Sequence, residues 1–332
     1  MRPNEGGVVV KGNWLVTGSA GFIGSNLCAR ILAGGGNVVG LDNFATGKQE
    51  NVARVMAEAG GRYRFIDGDI CDRQLVAGLL QGIDAVVHLA AQGSVQKSFA
   101  DVGHNNRQNI DGFVSVLSAA GEKGVPRFIY ASSCAVYGDT EELPIGEGLC
   151  PRPLSPYASS KLLNDLLAGN LRHLYPATSF SGLRFFNIFG PWQDPLGDYA
   201  AVIPRWIDRC ISGQRPIVFG DGSATRDFCY VGNVCDLVIR VGSGQAGPAQ
   251  GVYNVASGTA TSLTALCTAV LDALRGRGVA LPFDGPEHLP WREGDIVHSL
   301  GDIKSAQRDL GFSPALDLRQ GIDAILDEQY RL

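Results

Sequence analysis

Trp14-Leu-Val-Thr-Gly18-Ser-Ala-Gly21-Phe-Ile-Gly24 decides how this chain folds. A short apolar run, Trp14–Thr17, stops at a glycine, and a helical pattern begins within the next few residues. Gly18 permits a tight turn. Gly21 leaves the backbone bare where it must approach a pyrophosphate, and Gly24 lets the helix pack close to the strand. The start of that helix presents its free N–H groups and positive dipole end to phosphates. A second run, Val38–Leu41, leads into Asp42. A carboxylate there accepts bonds from adenosine ribose hydroxyls and repels a 2′-phosphate, so NAD is expected rather than NADP. The bland alternative is a tight turn with Asp42 as a helix cap. The complete order of strand, turn, helix, strand and acid favours the dinucleotide.

Working outward, further strands are expected at Tyr63–Ile66, Ala85–Leu89, Arg127–Ala131 and Phe180–Phe185, mostly separated by helix-length segments. This alternation implies an α/β fold with a parallel, doubly wound, Rossmann-type sheet, because parallel neighbours need long crossovers. The runs are nearly continuously apolar, as strands covered on both faces should be. After Asn187 the rhythm becomes irregular and richer in Pro and Gly. The expected division is a dinucleotide-binding domain over residues 1–187, with a return at 228–256, and a smaller substrate-binding domain over 188–332. Gly68-Asp69-Ile70 follows the third strand. Asp69 suits the adenine amino group and, nearly as well, a helix cap. Leu89-Ala90-Ala91 is small enough for close contact with a flat cofactor; core packing would explain it too.

The 332 residues are enough for one large or two coupled domains. Hydrophobic residues are 45% and charged residues 18%, the balance of a soluble globular protein. A net charge of −5 argues against nucleic acid or an anionic membrane as the main partner, so any anionic substrate must be held by local cations. The eight cysteines show no C-x-x-C spacing, and neither a metal site nor a redox motif is suggested. Free thiols, a cytoplasmic location and no membrane span are expected.

Tyr157-Ala-Ser-Ser-Lys161 carries the reactive pattern. The i, i+4 spacing puts Tyr157 and Lys161 on one helix face. An apolar stripe containing Leu162, Leu163, Leu166 and Leu174 is expected opposite, to pack the helix. A phenol titrates near ~10 and is a poor base at neutral pH unless neighbouring positive charge favours the phenolate. Lys161 and an oxidised nicotinamide supply that charge. Ser133, at the end of the fifth strand, can share a substrate proton with Tyr157. A bare Tyr-x-x-x-Lys is common by chance; its place after a dinucleotide fingerprint gives it weight.

The chain resembles the extended short-chain dehydrogenases/reductases, in the branch of the UDP-galactose and UDP-N-acetylglucosamine 4-epimerases. The resemblance runs from Trp14 almost to the C-terminus. It is carried by Gly40-Leu-Asp42-Asn-Phe-Ala-Thr-Gly47, Ala90-Ala-Gln-Gly-Ser94-Val, Ala131-Ser-Ser-Cys-Ala-Val-Tyr-Gly138, Ser155-Pro-Tyr-Ala-Ser-Ser-Lys161, Arg184-Phe-Phe-Asn187 and Thr225-Arg-Asp-Phe-Cys-Tyr230. It implies Tyr157 as base, with Lys161 and Ser133 assisting. It implies cofactor contacts from Phe22, Ile23, Asn43, Phe44, Thr46, Gly47, Asp69, Ile70, Leu89, Ala90, Ala91, Asn109 and Phe186. Asn187, Arg226 and Arg292 match residues that hold a sugar diphosphate. Phe219 falls where the family packs uracil, and Asp295 near the uridine ribose. Ser94, Gln193 and Val202 match further substrate contacts.

Relatives that dehydrate or decarboxylate the oxidised sugar carry an acid just before the Val-Tyr-Gly after the fifth strand. Here Cys134-Ala135 stands there, and the resemblance implies plain 4-epimerisation of a UDP-sugar. Ser299 matches a residue that limits the sugar pocket, and a small one admits an N-acetyl group. UDP-N-acetylglucosamine and UDP-N-acetylgalactosamine are therefore the expected pair, with UDP-glucose/UDP-galactose or the acetylated uronic acid as alternatives. Gln96-Lys97 and Ala100-Asp101-Val102 depart from the Pro-Arg and Asp-Pro usual after Gly-Ser-Val in that branch. A non-catalytic NAD-binding scaffold would be expected to lose the reactive trio, which is intact here. The apolar helices expected at Asn109–Lys123 and Pro156–Tyr175 match those that pair in family homodimers.

Overall fold

The computed structural model describes residues 9–195, 202–247, 249–291 and 297–332. Twelve strands are present among them: β1 (Asn13–Thr17), β2 (Asn37–Asp42), β3 (Tyr63–Asp67), β4 (Ala85–His88), β5 (Arg127–Ser133), β6 (Ser179–Phe185), β7 (Asn187–Phe189), β8 (Ile217–Phe219), β9 (Thr225–Tyr230), β10 (Gly251–Val255), β11 (Ala260–Ser262) and β12 (Glu287–Leu289). The helices are α1 (Phe22–Ala33), α2 (Gln49–Glu58), α3 (Arg73–Leu79), α4 (Val95–Ala100), α5 (Val102–Asn106), α6 (Gly112–Glu122), α7 (Pro156–Leu171), α8 (Val202–Ile211), α9 (Val231–Gly242), α10 (Leu263–Gly276), α11 (Lys304–Leu310) and α12 (Leu318–Ile325).

The main sheet runs β10-β6-β5-β4-β1-β2-β3, parallel throughout. From β1 the chain builds outward to β3, then returns to lay β4 on the other side of β1. Strand order reverses there, so a crevice opens beyond the C-terminal ends of β1 and β4, where doubly wound sheets bind ligands. One core lies between the sheet and α1, α2 and α9; it includes Trp14, Val16, Leu27, Val55 and Val234. The other lies between the opposite face and α3 and α6, around Leu15, Val76, Phe113 and Phe128. β1 alternates between them, Leu15 to one and Trp14 and Val16 to the other, which is why the whole strand reads as apolar.

Two smaller sheets follow. β9 pairs parallel with β7 and antiparallel with β11, and β8 pairs with β12. Among the described residues no helix is long and apolar enough to cross a membrane.

Helix α7 departs from expectation. Ser155 caps it by accepting from the Ala158 amide, and Pro156 fills the first turn. Its inward face is polar: Ser160, Lys161, Asn164 and Asp165 are buried. The four leucines do not form one packing stripe, though Leu162 packs against the core. Leu166 is 55% exposed, Leu174 beyond the helix end is 64% exposed, and Leu162 and Leu163 are half-buried. The reason is that β5 and β6 present polar partners to α7, Ser132 and Arg184, so the polar face is drawn in and the apolar face left out.

Candidate active site

The glycine turn is built for close approach. Gly18 has φ +73°, and a side chain there would meet the backbone of Leu89 and Ala90 at 2.7–2.9 Å. A side chain at Gly24 would strike the Gly18 carbonyl. At Gly21 only that carbonyl is near, at 3.2 Å, and Gly21 lines the crevice. Gly21 itself caps α1 and brings no side chain, so the first-turn amides face the crevice without a built-in acceptor.

The crevice holds two adjoining cavities. One, about 300 Å³, is lined by Gly18, Gly21, Asp42, Asn43, Thr46, Ile70, Leu89, Ala90 and Ala91, together with Gln92, Lys97, His104 and Gln108. The other, about 430 Å³, shares the glycine turn and adds Phe22, Ile23, Gly24, Ser94, Ala131 and Gln193. Asp42 is half-buried. Its carboxylate accepts the Ala20 amide at 3.0 Å and the Phe44 amide at 2.8 Å, which hold it in place at the mouth. Burial raises its pKa, and those amides oppose the rise.

Other expected cofactor residues stand behind this lining. Phe44 packs on Phe65, with ring centroids 5.1 Å apart. Gly47 lies so close to Ala20 and Asp42 that a side chain would displace them. Asp69 accepts from the Cys71 amide and from Gln108. Phe186 is buried against Gly301. Asn109 does not line either cavity. It sits in a π-helical turn, Arg107–Asp111, a distortion common near functional sites. Its Oδ1 accepts the Gln92 amide at 2.7 Å, and its Nδ2 donates to Gln92 O and to Ser160 Oγ at 3.1 Å each. Asn109 thus fixes the strand-end loop against α7, beside Lys161.

Ser133 ends β5, and its hydroxyl accepts the Ala135 amide at 3.2 Å while keeping its own proton to donate. Tyr157 and Lys161 lie one turn apart at the start of α7, with the Lys161 ammonium 5.9 Å from the Tyr157 ring centroid. Lys161 is 3% exposed and donates to Ala131 O at 2.8 Å. Burial lowers its pKa to about 8, with the Asp165 charge acting against the fall. Behind it the Asp165 carboxylate accepts from Ser132 Oγ and Arg184 Nε, both at 3.0 Å. Arg184 donates onward to the Tyr137 hydroxyl, which donates to Asn254 Oδ1 at 2.7 Å. Cys134 is half-buried and desolvation pushes its thiol up to about 12, so it stays protonated and is no general base.

A larger cavity, about 740 Å³, opens among the smaller sheets and α8. Asn187, Val202, Phe219 and Arg226 line it; Gln193 and Ser94 instead line the crevice at the glycine turn. Arg226 donates to Thr225 O and Val297 O. Ser299 is buried, with its amide on Thr225 O, and is not among the lining residues. Arg292 and Asp295 lie outside the described residues. Arg205 and Arg209, on α8, also line this cavity and were not anticipated. Their one-turn spacing was visible, but nothing in the sequence said which face of α8 the cavity takes. Lys97 and His104 were missed in the crevice because they belong to short helices set by distant packing.

The profile of the NAD-dependent epimerase/dehydratase family matches residues 14–256. The chain is 39% identical over 311 residues to a UDP-glucose 4-epimerase of Mycolicibacterium smegmatis, covering 93% of this chain and 95% of that one. It is 35% identical over 319 residues to a dTDP-glucose 4,6-dehydratase of Streptomyces griseus, covering 93% and 92%. A UDP-N-acetylglucosamine 4-epimerase from Methanobrevibacter ruminantium, solved with UDP-N-acetylmuramic acid, superposes with a TM-score of 0.87 at 32% identity, over 96% of this chain and all of that one.

Proposed function

Because this chain belongs to the NAD-dependent epimerase/dehydratase family, we propose that it interconverts the two C4 epimers of a UDP-sugar, with UDP-N-acetylglucosamine and UDP-N-acetylgalactosamine as the substrate pair. The observation that carries this reading is that Ser133 ends β5 while Tyr157 and Lys161 lie one turn apart on α7, with Lys161 bonded to Ala131 on the wall of a crevice whose glycine turn leaves room for a dinucleotide. Gly18, Gly21 and the first turn of α1 suit the pyrophosphate, and Asp42 the adenosine ribose. NAD held by these residues would supply a reversible hydride acceptor at the sugar's C4, so that no net oxidation would occur.

The chain's own residues manage the proton and the grip. The Tyr157 oxygen removes the proton of the 4-hydroxyl and later gives it back. The Lys161 ammonium favours the phenolate through its positive charge, and Ser133 donates to the sugar oxygen. Arg226 and Asn187 hold the diphosphate, with Arg292 assigned to the same task, while Phe219 packs the uracil and Asp295 is assigned to the uridine ribose; the sugar stays free to turn. Cys134-Ala135 at the turn after β5 argues against dehydration, since neither supplies a proton-transfer group for elimination.

Purified protein is to be incubated with each UDP-sugar without added NAD and the products resolved. Epimers are expected with no change in redox state. Net accumulation of NADH, loss of water from the sugar, or no product would each reject the reading. A preference for N-acetyl sugars rests on Ser299, and Ser299→Tyr is expected to suppress their turnover more than that of UDP-glucose. Equal loss on both, or faster conversion of a uronic acid by the unaltered protein, would reassign the substrate.

A further inference from the structure

The segment Gly190–Pro195 follows β7 and brings Trp192, Gln193 and Asp194 to the wall of the crevice that Ser94, Lys97 and the glycine turn also line. Trp192 has φ +70°, a left-handed conformation that a bulky side chain rarely adopts. Surrounding contacts hold it there. Asn26 on α1 donates to Pro191 O at 2.9 Å, and Gln329 near the C-terminus accepts the Trp192 amide at 3.0 Å. The Arg54 guanidinium on α2 stands 4.7 Å from the Trp192 ring centroid. Lys48, just before α2, pairs with Asp194 at 2.9 Å. Parts of the chain far apart in sequence therefore converge to hold one segment with a left-handed residue at its centre.

We propose that Gly190–Pro195 is a strap that retains the dinucleotide, closed by the Lys48–Asp194 pair and the Arg54–Trp192 stack. The inference rests on the assignment of the crevice to NAD. An epimerase that lost reduced cofactor between its two hydride transfers would release an oxidised sugar, so retention through the cycle has a direct purpose. Both fastenings are weak singly: Lys48 and Asp194 are 43% and 34% exposed, and such pairs are screened by water. Opening for loading breaks these two modest contacts together with the Asn26–Pro191 and Gln329–Trp192 hydrogen bonds, and lifts Trp192 from the edge of the core.

Protein carrying NAD, with no sugar present, is moved into cofactor-free buffer, and NAD in the filtrate is followed with time. Asp194→Asn and Lys48→Met should each speed release roughly two- to five-fold. The double variant should be no faster than either single one, since both remove the same contact. Arg54→Met should add about another two- to five-fold by opening the second fastening. Unchanged release in the single variants, or multiplied effects in the Lys48/Asp194 double variant, would overturn the strap. A protein that never holds NAD would overturn both the strap and the cofactor assignment. No sugar enters the measurement, so a failed strap leaves the epimerase reading standing.

Discussion

Lys161 shows how burial shapes a single residue. Its ammonium sits 3% exposed, and its tendency to lose the proton is checked by Asp165 one turn further along α7. Tyr157, at the open end of the same turn, is the group that meets substrate in the proposed cycle. Tyr157→Phe should lower epimerisation roughly 10²–10⁴-fold, the usual worth of a placed acid–base group, while NAD stays bound; turnover numbers and bound NAD per chain check this. His88 is a second residue whose surroundings set its charge. It lies between Phe113 and Phe128 with Nδ1 on Thr17 Oγ1, and burial, helped by the Lys161 charge, lowers its pKa to about 3. Between pH 6.5 and 3 the unfolded chain therefore takes up a proton that the folded chain refuses, and this contribution to stability falls as the solution is acidified. The loss should reach roughly 3–5 kcal/mol. Urea unfolding of His88→Asn should accordingly show a shallower decline than the unaltered protein across that window.

At the scale of elements, β5, β6 and α7 are joined by charge as much as by apolar contact. Asp165 and Arg184 are nearly buried, 4% and 7% exposed in their side chains, and each has further hydrogen bonds. Asp165→Asn would leave the Arg184 charge inside without its counterion, at a cost of about 3–5 kcal/mol, to be read from denaturant midpoints. The strands were legible because a strand covered on both faces must be apolar along its whole length, as Trp14–Thr17 and Ala85–Val87 are. Helix α7 was misread for a related reason. Periodicity locates an apolar stripe but does not say whether it faces the sheet, and here Ser132 and Arg184 draw the polar face inward.

At the scale of the whole molecule, that inversion leaves apolar surface outside. Leu166 on α7 is joined by exposed Phe99 on α4 and Val102 on α5, both helices packed against α7. We propose that this face pairs with its copy in a homodimer. Leu166→Glu should then convert a dimer into a monomer by light scattering; a monomeric unaltered protein would refute the pairing. Local chemistry along the chain was enough to determine the parallel doubly wound sheet, the glycine turn with its acid at Asp42, and the Tyr157–Lys161 pair, because turn geometry, strand cover and helix spacing each act over a few neighbouring residues. Tertiary structure alone decided which face of α7 is buried, how Asn109 ties two segments together, where Arg205 and Arg209 point, and how Lys48 and Arg54 meet residues more than a hundred positions away. Those contacts depend on where the sheet's crossovers carry each element, and no local pattern encodes that.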